Sequence, residues 1–453
     1  MRFEKTKRNK YILASILSFI IILFLAKPTE AANYYVSPTG NDANSGSQSQ
    51  PWLTVTKGMS TIRQGDTLYL RSGNYAAPST GWQFAYGGVT MTNYPGEVAT
   101  LTSKNKTSGN YVIKCLLTSP AVNGNKIIGT DVGNQKGIVI TGEPLGIAPA
   151  IVGYQCDNWE IAGIEFRQVA YAIFQRKVNN GNTSADGWYV HDNWVNDYFR
   201  ESGMQFNGNR NRIENNKIVK VSGDSSTTYG CQLLNLLGNN NTVSGNYLER
   251  INQSVRCIGI FFEWNLADNN LIENNVIRGV PNGISFFGGD NNIVRNNTLS
   301  GTDTAFVIRS WADGTTVYPC NFSDFMPLES DVNNPDWQYM YPNDCRSKSN
   351  RFENNTVSGF NNFSSINLPE SSNVFQNGPA PSLTPSPSIV PSPSSIPAKL
   401  GDANGDNKVD GIDYVVWLNH YNQNISRPTN GDFNNSGKVD GVDYIIWVNG
   451  YGK

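Results

Sequence analysis

The stretch NRIENNKIVKV, at residues 211–221, alternates apolar and polar residues on both sides of Asn216. The same arrangement returns toward the C-terminus with its asparagine at positions 246, 275, 297 and 355, after steps of 30, 29, 22 and 58 residues. Repeats of roughly 20 to 30 residues indicate a solenoid, in which each repeat packs on its neighbours. The later copies are NTVSGNYLERI (241–251), NLIENNVIRGV (270–280), NIVRNNTLSGT (292–302) and NRFENNTVSGF (350–360), and weaker copies precede them at 158–166 and 187–195.

The spacing of the apolar residues decides which kind of solenoid this is. Apolar residues that alternate with polar ones are typical of short strands and exclude a helical repeat, whose apolar residues recur with the helical period. The asparagines and glycines between the alternating segments suit the left-handed backbone of tight turns. We therefore predict an all-β parallel β-helix, in which the turn asparagines form a ladder of amide hydrogen bonds from coil to coil.

The segment YYVSPTGNDANSGSQSQPWLTVTKGMSTIRQGDTLYLRSGNY, at residues 34–75, resembles the opening of many secreted β-helix proteins. Together with the asparagine repeats, it resembles the right-handed parallel β-helix superfamily of pectate lyases and chondroitinase B over residues 33–375. The resemblance implies a right-handed solenoid but no particular chemistry, because one fold serves many functions. Within the segment, Val55, Met59 and Ile62 share one face of a helix, as expected for a small cap over the first coil.

The step of 58 residues between Asn297 and Asn355 is about twice the usual repeat. It can hold two coils or one coil with a long excursion, and residues 312–345 favour the excursion because they lack the repeat pattern. Long ordered loops in compact domains usually serve a function, although a flap that only covers the side of the solenoid is the simpler interpretation. The aromatic residues of this segment are Tyr318, Phe322, Phe325, Trp337, Tyr339 and Tyr341.

Residues 1–31 have the features of an export signal. The basic start MRFEKTKRNK precedes the apolar run YILASILSFIIILFLA, and small residues at positions 29 and 31 suit cleavage by a signal peptidase. The apolar run is shorter than the ~20 residues that a spanning helix needs. We therefore predict a cleaved signal peptide, a mature chain without a membrane span, and a secreted protein that is extracellular or attached to the cell surface.

Export also makes disulfides possible for the 6 cysteines. An even number permits three disulfides, but the sequence does not determine how the cysteines pair. Our first expectation is a bond between Cys320 and Cys345, across the excursion. The other cysteines are Cys115, Cys156, Cys231 and Cys257.

The C-terminal part of the chain contains a linker and two copies of one acidic loop. Residues 376–398 alternate proline and serine, which is typical of a semi-rigid linker. Residues 402–413 and 432–443 each place oxygen donors at the positions of a calcium loop, except that the last position is Asp rather than Glu. The duplication predicts two Ca²⁺ ions, and the sequence leaves room for a further ion in the β-helix. The predicted ligands are Asp402, Asn404, Asp406, Lys408 (through its backbone carbonyl), Asp410 and Asp413 in the first loop, and Asp432, Asn434, Ser436, Lys438 (likewise), Asp440 and Asp443 in the second.

Residues 399–453 resemble a type I dockerin domain in two ways. The last loop position is Asp, and the loop–helix unit is duplicated without an entering helix. The resemblance implies a small all-α calcium-binding domain whose partner is a cohesin domain on a scaffold or surface protein. Trp417 and Trp447 occupy equivalent positions in the two predicted helices, and we expect them in the core, because one unit cannot bury its apolar face alone whereas two can.

Candidate catalytic residues lie on the strands that follow each asparagine turn. A lyase needs a base and a cation beside a uronate, a hydrolase needs two carboxylates, and neither set forms a recognisable motif here. We expect the polar residues of these strands to project outward as one column, although a merely solvated face is the simpler interpretation, and we interpret His191 as structural. The candidates are Glu263 and Arg309 for catalysis, Gln205, Asn235, Trp264, Trp311, Trp337 and Tyr339 for substrate binding, and Asp197, Arg200 and Glu201 one coil lower.

The expected function follows from the docking module. Dockerins are mostly attached to carbohydrate-active enzymes, so the resemblance implies a secreted polysaccharide lyase or glycoside hydrolase. A non-catalytic glycan-binding or surface-display solenoid is the alternative. The 35 Lys and Arg residues are balanced by 37 acids, so the composition does not indicate a nucleic-acid partner. The sequence does not name the polysaccharide, because loop shape and the outward residues of different coils decide it.

Overall fold

The structure is a computed structural model. It describes residues 31–103, 111–115, 122–142, 149–154, 156–175, 185–197, 202–221, 231–252, 256–263, 267–309, 312–313, 316–317, 347–366, 374–376, 399–403, 408–423, 431–434 and 436–452. The predicted signal peptide and almost all of the predicted linker fall outside these ranges. The chain divides into two compact units, residues 1–381 and 382–453, so that the division falls within the predicted linker.

The first unit is built from short strands. In chain order the described strands are β1 Asn33–Val36, β2 Thr67–Leu70, β3 Gly73–Ala76, β4 Thr90–Asn93, β5 Ala99–Thr102, β6 Ile113–Cys115, β7 Lys126–Ile128, β8 Ile138–Thr141, β9 Ile151–Gly153, β10 Glu160–Ala162, β11 Ile164–Arg167, β12 Ile173–Gln175, β13 Tyr189–His191, β14 Trp194–Asn196, β15 Ser202–Phe206, β16 Arg212–Glu214, β17 Lys217–Lys220, β18 Cys231–Leu236, β19 Thr242–Ser244, β20 Tyr247–Arg250, β21 Cys257–Glu263, β22 Leu271–Glu273, β23 Val276–Phe287, β24 Ile293–Arg295, β25 Thr298–Arg309, β26 Ala312–Asp313, β27 Thr316–Val317, β28 Arg351–Glu353, β29 Thr356–Ser358, β30 Asn362–Ile366 and β31 Val374–Gln376.

Apart from β26 and β27, which pair with each other antiparallel, these strands stack in three parallel series, which we call the first, second and third series. The first series runs β1-β2-β4-β7-β10-β13-β16-β19-β22-β24-β28-β31. The second runs β3-β5-β8-β11-β14-β17-β20-β23-β25-β29, and the third runs β6-β9-β12-β15-β18-β21-β23-β25-β30. The second and third series join in β23 and β25, which are long enough to belong to both. Most coils contribute a strand to each series, so the fold is a parallel β-helix, as the repeats predict.

Helix α1, at Val55–Thr61, lies before the second strand of the first series. Thr54 caps its N-terminus, and its side-chain oxygen accepts a hydrogen bond from the backbone of Lys57. Val55 and Met59 are buried, and Ile62 is fully buried directly after the helix. The predicted amphipathic cap is therefore confirmed.

An asparagine ladder occupies the turn between the first and second series. Each amide nitrogen donates to the side-chain oxygen of the asparagine in the next coil, at 2.9 to 3.0 Å. The left-handed backbone belongs to the residue before the ladder asparagine, for example Asn274 with φ of 57°. The predicted ladder is confirmed, but the ladder residues do not themselves adopt the left-handed conformation. Its members are Asn193, Asn216, Asn246, Asn275, Asn297 and Asn355.

The 58-residue step is one coil with an excursion. β24 pairs directly with β28, with Ile293 opposite Arg351. The Asn297 amide likewise donates to Asn355 at 3.0 Å, without an intervening coil. The predicted excursion is confirmed, although most of its residues, including Cys320 and Cys345, lie outside the described ranges.

Two disulfides join described residues of the first unit. They link Cys115 to Cys156 and Cys231 to Cys257. Cys231 and Cys257 are register partners on adjacent strands β18 and β21, so this bond ties neighbouring coils of the third series. The sequence left the pairing of these four cysteines open, and only the stacking of the coils decides it.

A second ladder of hydrogen bonds joins the turns that precede the strands of the first series from β7 to β28. In this ladder a side-chain oxygen of Asp or Asn accepts a hydrogen bond from the backbone N–H of the equivalent residue in the next coil. The backbone N–H of Asp290, for example, donates to the carboxylate of Asp268 at 2.7 Å. Burial, followed by the nearby charge of Asp290, raises the pKa of Asp268 to about 6 from its ordinary value of 3.8. Asn239 holds the equivalent position one coil below, since Asp268 donates its backbone N–H to the Asn239 side-chain oxygen.

This shift predicts a pH-dependent effect of Asp268→Asn. A carboxyl whose pKa is raised by folding stabilises the folded state below its unfolded pKa, and this contribution is lost as the pH rises through about 6. The uncharged amide keeps the hydrogen bond from Asp290. We therefore expect the variant to melt at a higher temperature than the parent chain at pH 7.5, with the difference vanishing near pH 4, in thermal melts followed by circular dichroism. An equal difference at both pH values would show that the charge of Asp268 is not the cause.

The described residues of the second unit include two helices, α2 at Gly411–His420 and α3 at Gly441–Gly450. Trp417, Phe433 and Val439 are buried in its small core, and Trp447 packs against them while remaining partly exposed. The indole N–H of Trp417 donates to the backbone oxygen of Asp440 at 2.9 Å, and that of Trp447 donates to Asp410 at 2.8 Å. Each tryptophan thus ties its own helix to the loop of the other half, which agrees with the predicted core role. Among the described residues, no helix has the length and apolarity required to cross a membrane.

Candidate functional sites

The outer face of the third series does not carry the single polar column expected from the sequence. Gln205 and Asn235 are register partners, but Phe174 lies opposite Gln205 on one side and Phe261 lies opposite Asn235 on the other. Asn235 is only 3% exposed. The prediction of one continuous polar column is therefore wrong, because aromatic residues occupy the same register position in neighbouring coils.

Glu263 and Arg309 belong to a different column, two residues further along their strands. Glu263 pairs with Phe287, and Phe287 pairs with Arg309. The two candidates therefore share one register position, but they lie on alternate strands, and two strand spacings separate their backbones by about 10 Å. This corrects the expectation that they stand on neighbouring strands, and their side chains are outside what the structure describes.

Of the remaining candidates, the structure describes only Asp197, which lies in a turn. Asp197 has a φ of 52° and accepts a hydrogen bond from the backbone of Val221 at 3.1 Å, so it is a turn residue at the end of β14. It does not lie in the column of Gln205, which is on β15. The candidates outside the described ranges are Arg200, Glu201, Trp264, Trp311, Trp337 and Tyr339.

The outer face of the second series carries a group of residues that the sequence analysis missed. In successive strands Glu165, Trp194, Lys217 and Tyr247 hold one register position. Two residues further along, Arg167 and Asn196 pair on β11 and β14, and Glu249 and Arg278 pair on β20 and β23. We call these eight residues the cation–aromatic face.

Contacts within this face are close. Arg167 donates two hydrogen bonds to Glu165, at 2.7 and 2.6 Å, and Asn196 donates a third at 2.6 Å. Burial acts to raise the pKa of Glu165, but these donors lower it overall. The Lys217 ammonium lies 5.9 Å from the ring centroids of both Trp194 and Tyr247. Polar and aromatic groups therefore fix one another along several coils.

Tyr247 continues this arrangement toward β23. Its hydroxyl donates to Glu249 at 2.9 Å. Burial raises the pKa of Tyr247, and a hydrogen bond with Arg278 acts in the opposite direction. A sequence signal for the face does exist: the residue directly after each ladder asparagine points outward on the second series, which gives Trp194, Lys217 and Tyr247.

His191 lies in a charge network on the first series. Its ring nitrogens are 2.7 Å from Asp192 and 3.3 Å from Glu160. Lys126 pairs with the other oxygen of Glu160 at 2.7 Å, and the Tyr189 ring stacks on the imidazole with centroids 3.9 Å apart. Burial acts to raise the pKa of Glu160, whereas Lys126 and His191 lower it overall. Since the partners of His191 are all charged or stacked, the structure agrees with a structural role.

The second acidic loop brings its oxygen atoms together before α3. Asp432 accepts backbone hydrogen bonds from Ser436 at 2.9 Å and Gly437 at 2.8 Å. Asp443, in the first turn of the helix, accepts from Asn434 at 3.1 Å and from Asp440 at 2.9 Å. Asp440 itself caps α3. In the first loop, Asp413 and Asp410 occupy the same roles at the start of α2, while Asn404 and Asp406 lie outside the described residues.

Residues 400–449 match the family model of the dockerin type I domain. The C-terminal unit is a type I dockerin domain. The resemblance inferred from its duplicated loops is therefore confirmed.

The dockerin loops have the chemistry of a cation site. Asp432 and Asp443 are fully buried, and neither forms a salt bridge within the part of the chain that the structure describes. Buried carboxylates without a positive partner are unfavourable unless an ion compensates them. Asp432, Asn434, Ser436, Asp443 and the backbone carbonyl of Lys438 thus form an oxygen-rich set that fits Ca²⁺.

Other potential metal ligands are not clustered. Across the described ranges, no group of three or more His, Cys, Asp and Glu residues could hold a metal ion; the dockerin loops rely partly on Asn, Ser and backbone oxygens instead. The further Ca²⁺ that the sequence allows in the β-helix stays a prediction.

Comparison with curated protein sequences gives no match. Among solved structures, the chain is similar to the A-module of a mannuronan C-5 epimerase from Azotobacter vinelandii, with 13% identity, 69% of this chain and 91% of that chain covered, and a TM-score of 0.38. An alginate lyase from Paenibacillus has 12% identity, coverage of 59% and 94%, and a TM-score of 0.39. A pectate lyase has 13% identity, coverage of 78% and 82%, and a TM-score of 0.34.

Proposed function

We propose that the chain is a secreted carbohydrate-active protein that acts on a polysaccharide while its dockerin holds it on a cohesin-bearing scaffold or surface protein. The observation that carries this proposal is the dockerin domain at residues 400–449. A docking domain attaches the rest of its chain to a partner protein, which implies that the rest of the chain acts at the place where that partner is found. The N-terminal residues 1–31 supply the export signal that such delivery requires.

The β-helix is the part of the chain that would contact the polysaccharide. Stacked coils give long flat faces on which outward residues repeat at the strand spacing of about 4.8 Å, so an extended polymer can lie across several coils. Within this unit we propose Glu263 as acid/base or cation ligand and Arg309 as the group that neutralises a substrate carboxylate. Their shared register position supports the pair, because a backbone separation of about 10 Å leaves room for a sugar between them.

Mutation of these two positions tests the catalytic part of the proposal. We expect Glu263→Gln and Arg309→Ala each to reduce turnover by at least about 100-fold, because each removes a group that acts on the reacting sugar. The melting temperature should be nearly unchanged. Ultraviolet absorption of an unsaturated uronate would identify a lyase, and new reducing ends without that absorption would identify a hydrolase.

Glu273→Gln is a suitable control, because Glu273 pairs with Arg295 on the first series, outside the proposed catalytic column. Full activity in both test variants would remove Glu263 and Arg309 from the site. Binding of polysaccharide by the parent chain without any product would replace the enzymatic function with the non-catalytic alternative.

A further inference from the structure

We infer that the cation–aromatic face is a second glycan-binding site, which holds an extended acidic polysaccharide. It is separate from the column of Glu263 and Arg309, because it lies on the second series rather than the third. The inference rests on the proposed function in that the ligand is a polysaccharide. It concerns holding the polymer, not cutting it.

The first argument is the order of residue types along the face. At one register position Trp194, Lys217 and Tyr247 place a cation between two aromatic rings on three neighbouring strands, β14, β17 and β20. Arg167 and Arg278 lie two residues further along β11 and β23, so further cations flank this group at both ends. Trp194 and Tyr247 are two strand spacings apart, about 10 Å, so a polymer lying along the solenoid axis can meet both rings and place a carboxylate at Lys217 between them.

The second argument is that the cations are held in place. Lys217 lies between two rings that belong to the strands on either side of it. Lys136 approaches Trp194 to 4.9 Å from its centroid, so this ring contacts two ammonium groups. Ring contacts restrict lysine side chains, which otherwise lose much rotamer freedom when they bind a ligand. The face is therefore pre-organised for an anion.

The third argument is the distribution of charge. The carboxylate of Glu165 is engaged by Arg167, and that of Glu249 accepts from Tyr247. Lys217 is exposed and, within the described ranges, forms no salt bridge with a carboxylate. An exposed ammonium with fixed neighbours is complementary to a carboxylate supplied by the ligand. Acidic rather than neutral polysaccharides are thus the expected occupants.

Affinity electrophoresis of the full chain in Ca²⁺ tests the inference. The gels contain polygalacturonate, alginate or hyaluronan as acidic polymers, or an unsubstituted β-glucan as the neutral one. We expect at least one acidic polymer to retard the protein, and Lys217→Gln to weaken that retardation about tenfold at low salt and much less at high salt, because a surface charge contact is screened. Lys217→Arg should retain most of the binding, since it keeps the charge.

Lys57→Gln is the matched control. Lys57 also lies over a tryptophan, 5.8 Å from the ring of Trp52, but on α1 and away from the face. Equal weakening in the Lys57 and Lys217 variants, equal retardation by β-glucan, or no retardation by any acidic polymer would overturn the inference. If the parent chain binds or degrades an acidic polymer and Lys217→Gln does so equally well, the inference fails while the proposed function stands. The proposed function is contradicted by different results: the parent chain does not dock in a Ca²⁺-dependent way, or it neither binds nor degrades any glycan.

Discussion

Asn275→Ala is expected to destabilise the β-helix by about 3–5 kcal/mol, because it leaves several buried polar groups without partners. Asn275 is fully buried. Its side-chain oxygen accepts from the backbone and amide nitrogens of Asn246, both at 2.9 Å, and its amide donates to Val243 and Asn297, also at 2.9 Å. Alanine removes all of these bonds, which include the acceptor of the Asn246 backbone N–H and the donor to the Val243 carbonyl. Urea unfolding followed by circular dichroism measures the loss.

The adjacent residue supplies the control. Asn274 is exposed and has a φ of 57°, a conformation that glycine adopts without strain. Asn274→Gly should therefore change stability by no more than about 1 kcal/mol. Similar losses in both variants would mean that the turn backbone, and not the amide ladder, carries the stabilisation.

Removal of Ca²⁺ is expected to unfold the dockerin while the β-helix stays folded. Asp432 and Asp443 in the second loop and Asp413 in the first are buried carboxylates, and burial of such charges is unfavourable unless an ion compensates it. We expect Asp432→Ala to reduce Ca²⁺ affinity of its loop by at least about 100-fold, and Asp402→Ala to do the same for the first loop. Calorimetric titration of the full chain after chelation measures the uptake.

Lys438→Ala is the control for this effect. At its position the loop offers a backbone carbonyl, which already accepts a hydrogen bond from Ser436 at 2.9 Å. Loss of the lysine side chain should leave Ca²⁺ uptake unchanged. Uptake that persists in the double variant of Asp402 and Asp432 would show that these loops do not hold the ion.

The sequence predicts those parts of the fold that repeat. Asn216, Asn246 and Asn275 recur because each must form hydrogen bonds with the equivalent asparagines in the coils above and below it. This requirement appears directly in the sequence as a repeated asparagine. The duplicated loops could also be predicted from the sequence, because Asp432 and Asp443 have the spacing of ligands in a calcium-binding loop. Alternation also shows which residues face outward, as the interpretation of Gln205 and Asn235 illustrates.

The sequence does not predict which outward residues meet. A column depends on the register between coils, and insertions of different length shift that register from one coil to the next. Phe261 therefore lies beside Asn235, where a polar residue was expected, and Phe287 lies between Glu263 and Arg309. The cation–aromatic face differs in this respect, because Trp194, Lys217 and Tyr247 each follow a ladder asparagine directly, so the repeat already contains their register.

Capture of the full chain on immobilised type I cohesin domains tests the central claim most directly. We expect the chain to be retained in Ca²⁺, to be released by a chelator, and to pass unbound when both Asp402 and Asp432 are replaced by alanine. Release should leave the β-helix folded, as measured by circular dichroism of the eluted protein. Retention that persists in chelator, or failure of every cohesin in a broad panel to retain the Ca²⁺-loaded chain, would contradict the account of a tethered β-helix.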